Sequence, residues 1–289
     1  MRPESHSKLG LVDIINCFSL MVVFGSISTS YFFATLFHAK LSFWFYYLLS
    51  STIWIIYTLD HVLDGLKLKE EAISLRHYIH YKYRTTIIPI LVLFALFNMY
   101  VAVAYLPQKM LIAGCVLAVL VILYFLFIHF FSAKQKAINK ELIVALVVCS
   151  GMVVLPGISG NLSLSFGSAC IVLSMVLINY TNLLLFSYYD YENDKANGLN
   201  SAATNWGLEK TKTMAINTLG SAFVLFVFWL FQFNSPSKLP VSIAFLIMLN
   251  ILMVMIIQED RFKQKESYRF WGDFIFLMPG VVMYFVQLR

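Results

Sequence analysis

Apolar residues run along this chain in long stretches parted by short polar segments, and the lengths of those stretches point to the fold. A bilayer core about 30 Å thick takes roughly 20 apolar helical residues to cross. Runs of that order fall near residues 12–37, 41–64, 85–106, 109–132, 141–160, 164–190, 212–233, 238–258 and 268–288. They predict an all-α polytopic membrane protein of about nine transmembrane helices, in one bundle around a cytoplasm-facing cavity. Turn signals at Pro107-Gln108, Gly160-Asn161 and Asn234-Ser235-Pro236 mark short connections. With no long linker and no low-complexity tract, the expectation is one membrane domain over residues 1–289. The first run is too long for the apolar core of a cleaved signal peptide and reads as the first spanning helix.

Composition supports that reading. Of 289 residues 60% are hydrophobic and 12% charged, with mean hydropathy +0.77; a soluble domain carries about 25% charged residues. The formal net charge of +6 does not indicate nucleic acid, because no basic cluster is interleaved with an exposed aromatic platform. Of the 21 Lys and Arg residues, 17 fall in five segments on one side: the N-terminus (Arg2, Lys8), Lys67 to Arg84, Lys134 to Lys140, Lys195 to Lys212, and Arg261 to Arg269. The positive-inside rule makes that side cytoplasmic. The N-terminus is then inside and the C-terminus outside, in a membrane expected to be a bacterial inner (cytoplasmic) membrane. Cys17, Cys115, Cys149 and Cys170 each lie in a separate apolar run, with neither metal-ligand spacing nor a disulfide framework, and read as packing residues.

Two acidic pairs stand out against this background. Asp60-x-x-x-Asp64 and Asp190-x-x-x-Asp194 sit where the second and sixth runs end, 130 residues apart. A spacing of four puts both carboxylates of a pair on one helix face. At a helix C-terminus they meet the negative end of the dipole, so they call for a compensating cation or are solvated loop charges beside a membrane. Mg2+ is held in this way, by a few carboxylates with positions left open for water and phosphate oxygens. The cations beside the first pair, Lys67, Lys69 and Arg76, suit a diphosphate or serve only topology and head groups. His77 and His80 read either as ligands or proton carriers, or as residues of an amphipathic surface helix. Asn179 and Asn182 lie ahead of Asp190, lining a cavity or bonding between helices. Asp13 and Asp273 lie near the cytoplasmic ends of the first and last runs, where buried charges face inward and pair. Glu141 suits the start of its helix.

At these residues the chain resembles the UbiA superfamily of intramembrane prenyltransferases. The family signatures are Asn-x-x-x-Asp-x-x-x-Asp after helix two, often followed by Gly, and Asp-x-x-x-Asp followed by Gly and a small hydroxyl residue after helix six. Asp190, Asp194, Gly198 and Ser201 match the second, and Asp60, Asp64 and Gly65 match the first, whose Asn position holds Ile56. The resemblance implies Mg2+ held by Asp60, Asp64, Asp190 and Asp194 against a prenyl diphosphate. Lys67, Arg76, Lys140, Lys195, Tyr57 and Asn182 are the candidate substrate-binding residues. It further implies Mg2+-dependent transfer of the prenyl group, within the membrane and among its lipids, to a lipophilic and typically aromatic acceptor. The alternatives are a terpene cyclase-like enzyme, a catalytically inactive UbiA homologue for which Ile56 is the best support, and a cation-coupled transporter.

Overall fold

The computed structural model describes residues 10–69, 74–131, 139–160, 165–232 and 238–287. All elements among them are helical: α1 Leu11–Cys17, α2 Leu20–Leu36, α3 Phe43–Leu68, α4 Leu75–Lys82, α5 Arg84–Tyr105, α6 Gln108–Phe131, α7 Lys140–Cys149, α8 Leu155–Ser159, α9 Phe166–Tyr189, α10 Tyr191–Ala196, α11 Ala202–Trp206, α12 Leu208–Gln232, α13 Lys238–Ile257, α14 Glu259–Lys263, α15 Ser267–Phe274 and α16 Met278–Gln287. The basic residues Arg2, Lys8, Lys134, Lys136 and Arg289, the Asn234-Ser235-Pro236 turn and the side chain of Asp13 lie outside the described residues.

Against nine expected spans, six helical segments among the described residues are long and apolar enough to cross a membrane: Arg84–Tyr105, Gln108–Leu126, Lys140–Ser159, Phe166–Tyr189, Leu208–Gln232 and Lys238–Ile257. The other three runs are helical but interrupted or polar. The first is broken at Ser19, whose φ of 52° no helix interior tolerates, which leaves α2 with 17 residues. The second, α3, is rich in Trp, Tyr and hydroxyl residues and ends in charges. The last is divided by a 3-10 turn at Ile275–Leu277. Ser28 Oγ donates to Leu277 O (2.5 Å) and Thr29 Oγ1 to Phe276 O (2.9 Å), so α2 satisfies carbonyls that the break would strand. Lys140–Ser159 is itself interrupted by a π-helical turn at Ser150–Val154.

The core gathers on α9. Met175, Ile178, Leu184 and Leu185 pack against Leu219 and Phe226 of α12 and Phe245, Met248 and Leu252 of α13. Ala215, Ala222 and Ala244 keep the backbones close, as small residues do between helices in lipid. The close approach allows Ser174 Oγ to donate to Ala222 O (2.8 Å) and Thr181 to meet Thr218 (2.8 Å). Opposite lie α5 and α6, whose Leu93, Met99, Val103 and Ile112 are exposed and read as the lipid face. α5 joins the bundle through α3, where Ser51 Oγ donates to Asn98 Oδ1 (2.9 Å) and Trp44 stacks on Tyr105 with ring centroids 4.4 Å apart. α6 joins it through α7 and α8, where Ser159 Oγ donates to Met110 Sδ (2.9 Å).

Candidate active site

The C-terminal ends of α3 and α9 open on a common cavity of about 410 Å³. On α3 the residues that line it are Tyr57, Asp60, His61, Asp64 and Lys67, a stripe spaced 3, 1, 3 and 3 residues apart that marks one helix face. Ile56 lies beside that stripe and does not line the cavity. On α9 the stripe runs Asn179, Asn182, Leu183, Phe186, Ser187 and Asp190, and continues to Asp194. That continuation crosses a helix break. α9 ends at Tyr189, yet Asp194 N–H donates to Asp190 O (2.8 Å), so α10 preserves the one-turn spacing of the pair. Gly198, at φ 63°, then turns the chain as glycine does freely. Ser201 caps α11 in a capping box with Thr204.

The two pairs therefore converge, and their surroundings differ. Asp64 meets only Lys67 at 3.4 Å, a largely exposed pair of small energetic weight. Asp190 is 7% exposed, and its Oδ1 accepts from Tyr268 OH (2.6 Å) and pairs with Arg269, which is 8% exposed. Arg269 is also held through Nε by Glu266 Oε2 (3.0 Å). Arg269, by sequence one of the loop charges that set topology, is a buried residue of the cavity wall. The signal for it was its position in the first turn of the last apolar run, where charges turn inward. Asp194 has its carboxyl pushed up to about 6, chiefly by burial, with Lys140 and a hydrogen bond from Ser201 working against that rise.

Of the other expected site residues, Lys67, Arg76, Lys140, Tyr57 and Asn182 all line the cavity. Asn182 Oδ1 and Arg76 Nε are buried with no hydrogen-bond partner. Lys195 does not line it: exposed on α10, its Nζ lies over the Tyr191 ring at 5.3 Å. His77 and His80 are not surface residues. They are 5% and 0% exposed and form a cluster with His61, with ring centroids 5.7 and 5.3 Å from it. Burial, aided by the nearby Arg76 guanidinium, lowers His77 to about 2, so both its ring and its setting are those of a neutral imidazole. Glu141 does more than sit at a helix start. Asn139 caps α7, while Glu141 Oε1 accepts from Ala202 N–H (2.8 Å) and Ser187 Oγ from Ala203 N–H (2.8 Å). Together they tie the loop after Asp194 to the cavity. The rest of the lining mixes the apolar Val22, Val144, Val148, Met152, Leu183 and Phe276 with Asn16, Ser19, Ser26 and Asp273, the acid near the start of the last run.

Among the described residues no three His, Cys, Asp or Glu side chains close on a preformed metal cage. That suits Mg2+, which is held by one or two carboxylates with waters and substrate phosphates. It does not suit a structural zinc site, which is closed by four ligands.

No protein-family model and no curated protein matches the sequence. Solved structures do match the fold. A UbiA homologue from Aeropyrum pernix K1 superposes with a TM-score of 0.64 at 14% identity, over 93% of this chain and 98% of that one. A UbiA homologue from Archaeoglobus fulgidus bound to GPP and Mg2+ gives 0.65 at 10% identity, over 93% and 99%. A digeranylgeranylglyceryl phosphate synthase gives 0.54 at 14% identity, over 96% of each chain. The chain has the UbiA fold. Within that fold, both aspartate pairs line one cavity together with apolar side chains.

Proposed function

We propose that this chain, as one domain over residues 1–289, is an intramembrane prenyltransferase of the UbiA type. It would move a prenyl group from a prenyl diphosphate to a lipophilic, aromatic acceptor. The observation that carries this is a single cavity lined by four aspartates from two helix ends together with Lys140 and Arg76, and also by the apolar Val22, Val144, Val148, Met152 and Phe276. A diphosphate with a hydrocarbon tail has that combination of chemistry. The likeness in fold to a protein bound to GPP and Mg2+ supports the same reading. The Lys and Arg distribution supports a cytoplasm-facing mouth in a cytoplasmic membrane.

Asp60, Asp64 and Asp194 would hold Mg2+, which when bound neutralises charge that develops on the leaving diphosphate. Arg76, Lys140 and Lys67 take further phosphate oxygens from fixed positions, with no reorganisation as the carbon–oxygen bond breaks. Asn182 offers a buried amide whose oxygen has no hydrogen-bond partner. The allylic cation left behind faces Tyr57, Tyr124, Phe186 and Phe276, whose ring faces stabilise positive charge. The apolar side chains keep water away from the cation, so the acceptor carbon captures it and then gives up its proton. Incubating the purified protein with radiolabelled prenyl diphosphates and a membrane lipid extract tests the reading. A labelled lipophilic adduct, formed only with divalent metal, is expected. Labelled free terpene would make the chain a cyclase, and no turnover despite tight diphosphate binding would make it an inactive homologue.

A further inference from the structure

Arg269 reaches the cavity from α15 and is built in rather than merely present. Its guanidinium is gripped from two sides, through Nε by Glu266 and through an Nη by Asp190, and lies over the Tyr268 ring at 5.1 Å. A guanidinium carries five N–H donors in a rigid fork, so the two bonds leave three N–H groups, and the residue lines the cavity. Both bonds that Asp190 makes, from Tyr268 and from Arg269, land on Oδ1, which leaves Oδ2 open but the charge of the carboxylate already compensated. A buried carboxylate paired with a guanidinium draws a further cation less strongly than an unpaired one, even through its free oxygen. Asp60, Asp64 and Asp194 carry no such buried pair.

Resting on the diphosphate reading above, we propose that Arg269 is a diphosphate-binding residue and that Asp190 is its positioning residue rather than a metal ligand. The planar fork is matched to two phosphate oxygens, and Asp190, Tyr268 and Glu266 fix its plane before substrate arrives. The two aspartates of the second pair thereby divide their labour, with Asp194 toward the metal and Asp190 toward the arginine.

The test uses the full-length protein in detergent, with Mn2+ alone as metal probe, read by electron paramagnetic resonance, and inorganic pyrophosphate with saturating Mn2+ as anion probe, read by calorimetry. The double variant Asp190→Asn with Arg269→Gln leaves the cavity's net charge unchanged and strands no buried ion. It is expected to keep the Mn2+ affinity of the wild type and to lose about ten- to a hundredfold in pyrophosphate affinity. Arg269→Lys, which keeps the charge and removes the fork, is expected to fall the same way by about tenfold, and serves if the double variant does not fold. Asp60→Asn is the control and is expected to lose Mn2+ itself. If the double variant loses Mn2+ as Asp60→Asn does, Asp190 is a metal ligand and the proposal is overturned while the diphosphate reading stands. Pyrophosphate affinity unchanged in Arg269→Lys overturns it as well. A wild type that binds no pyrophosphate with Mn2+ overturns the diphosphate reading itself.

Discussion

Acidic side chains at the ends of apolar helices are costly, and that cost made the aspartate pairs legible from sequence alone. Asp60→Ala is expected to abolish Mg2+-dependent binding of a prenyl diphosphate, while Lys195→Ala, on the exposed face of α10, is expected to leave it within about twofold; calorimetry in detergent checks both. Ile56→Asn is expected to give no tighter binding, because the cavity stripe of α3 passes through Tyr57 and not Ile56. A clear gain in Mg2+-dependent affinity would contradict that placement. Arg269 was hidden because a basic residue beside a span has an ordinary reading, topology, that no pattern in the sequence separates from burial. The histidines were hidden likewise, since a three-residue spacing suits either a wet or a packed face. Their packing has a pH consequence. Unfolded, a histidine takes a proton below about pH 6.5, but His77, facing Arg76, His80, His61, Lys140 and Arg269, stays neutral down to about 2. The unfolded chain binds more protons at this group across that window, so its contribution to stability is lost as pH drops below about 6.5. Between pH 7 and pH 5 the melting temperature in detergent is therefore expected to change less favourably for the wild type than for His77→Gln, the raised carboxyl of Asp194 acting on both alike; equal slopes for the two proteins would refute the account.

The helices themselves were readable to within a few residues, because twenty apolar residues in a row admit few other structures. Their interruptions were not. Nothing in the apolar pattern marks the break at Ser19, the π-helical turn at Ser150–Val154 or the 3-10 turn at Ile275–Leu277. At the last of them the freed carbonyls are met by Ser28 and Thr29 of α2, 249 and 247 residues away in the chain. Close helix contacts at glycine were equally silent. A Cβ on Gly65 would come within 2.7 Å of His77 O and 3.2 Å of Tyr81 Cβ, so α4 lies on α3 only because that side chain is missing. Gly65→Ala is expected to cost about 1–3 kcal/mol by overpacking and to displace Arg76 and His77 from the cavity, measured as a lower melting temperature together with weaker diphosphate binding. Gly272→Ala puts a methyl against Asn182 Oδ1 and the Phe186 ring and is expected to be the more damaging of the two. Unchanged melting in either variant would show that the neighbouring helix yields.

At the scale of the molecule, one side of the bundle is dense around α9 while α5 and α6 turn apolar side chains outward. Leu93, 65% exposed near the middle of α5, tests that this side meets lipid. Leu93→Arg is expected to cost about 2.5–3.5 kcal/mol at insertion and to cut the membrane-inserted yield, whereas a soluble surface would accept it freely. The Asp190–Arg269 bond carries a different lesson, about assembly in time. Its partners are 79 residues apart, so at roughly 5–20 residues per second the ribosome needs about 4–16 s between making the carboxylate and making its guanidinium. During that interval all four aspartates exist and the chamber around α9 has most of its wall, yet the buried carboxylate has no counter-ion. The helix that carries Arg269, made after all four aspartates, is thus the one that completes their electrostatics. A chain released before residue 269 keeps both acidic signatures and carries a buried, uncompensated charge, which is the kind of defect that cellular quality control removes.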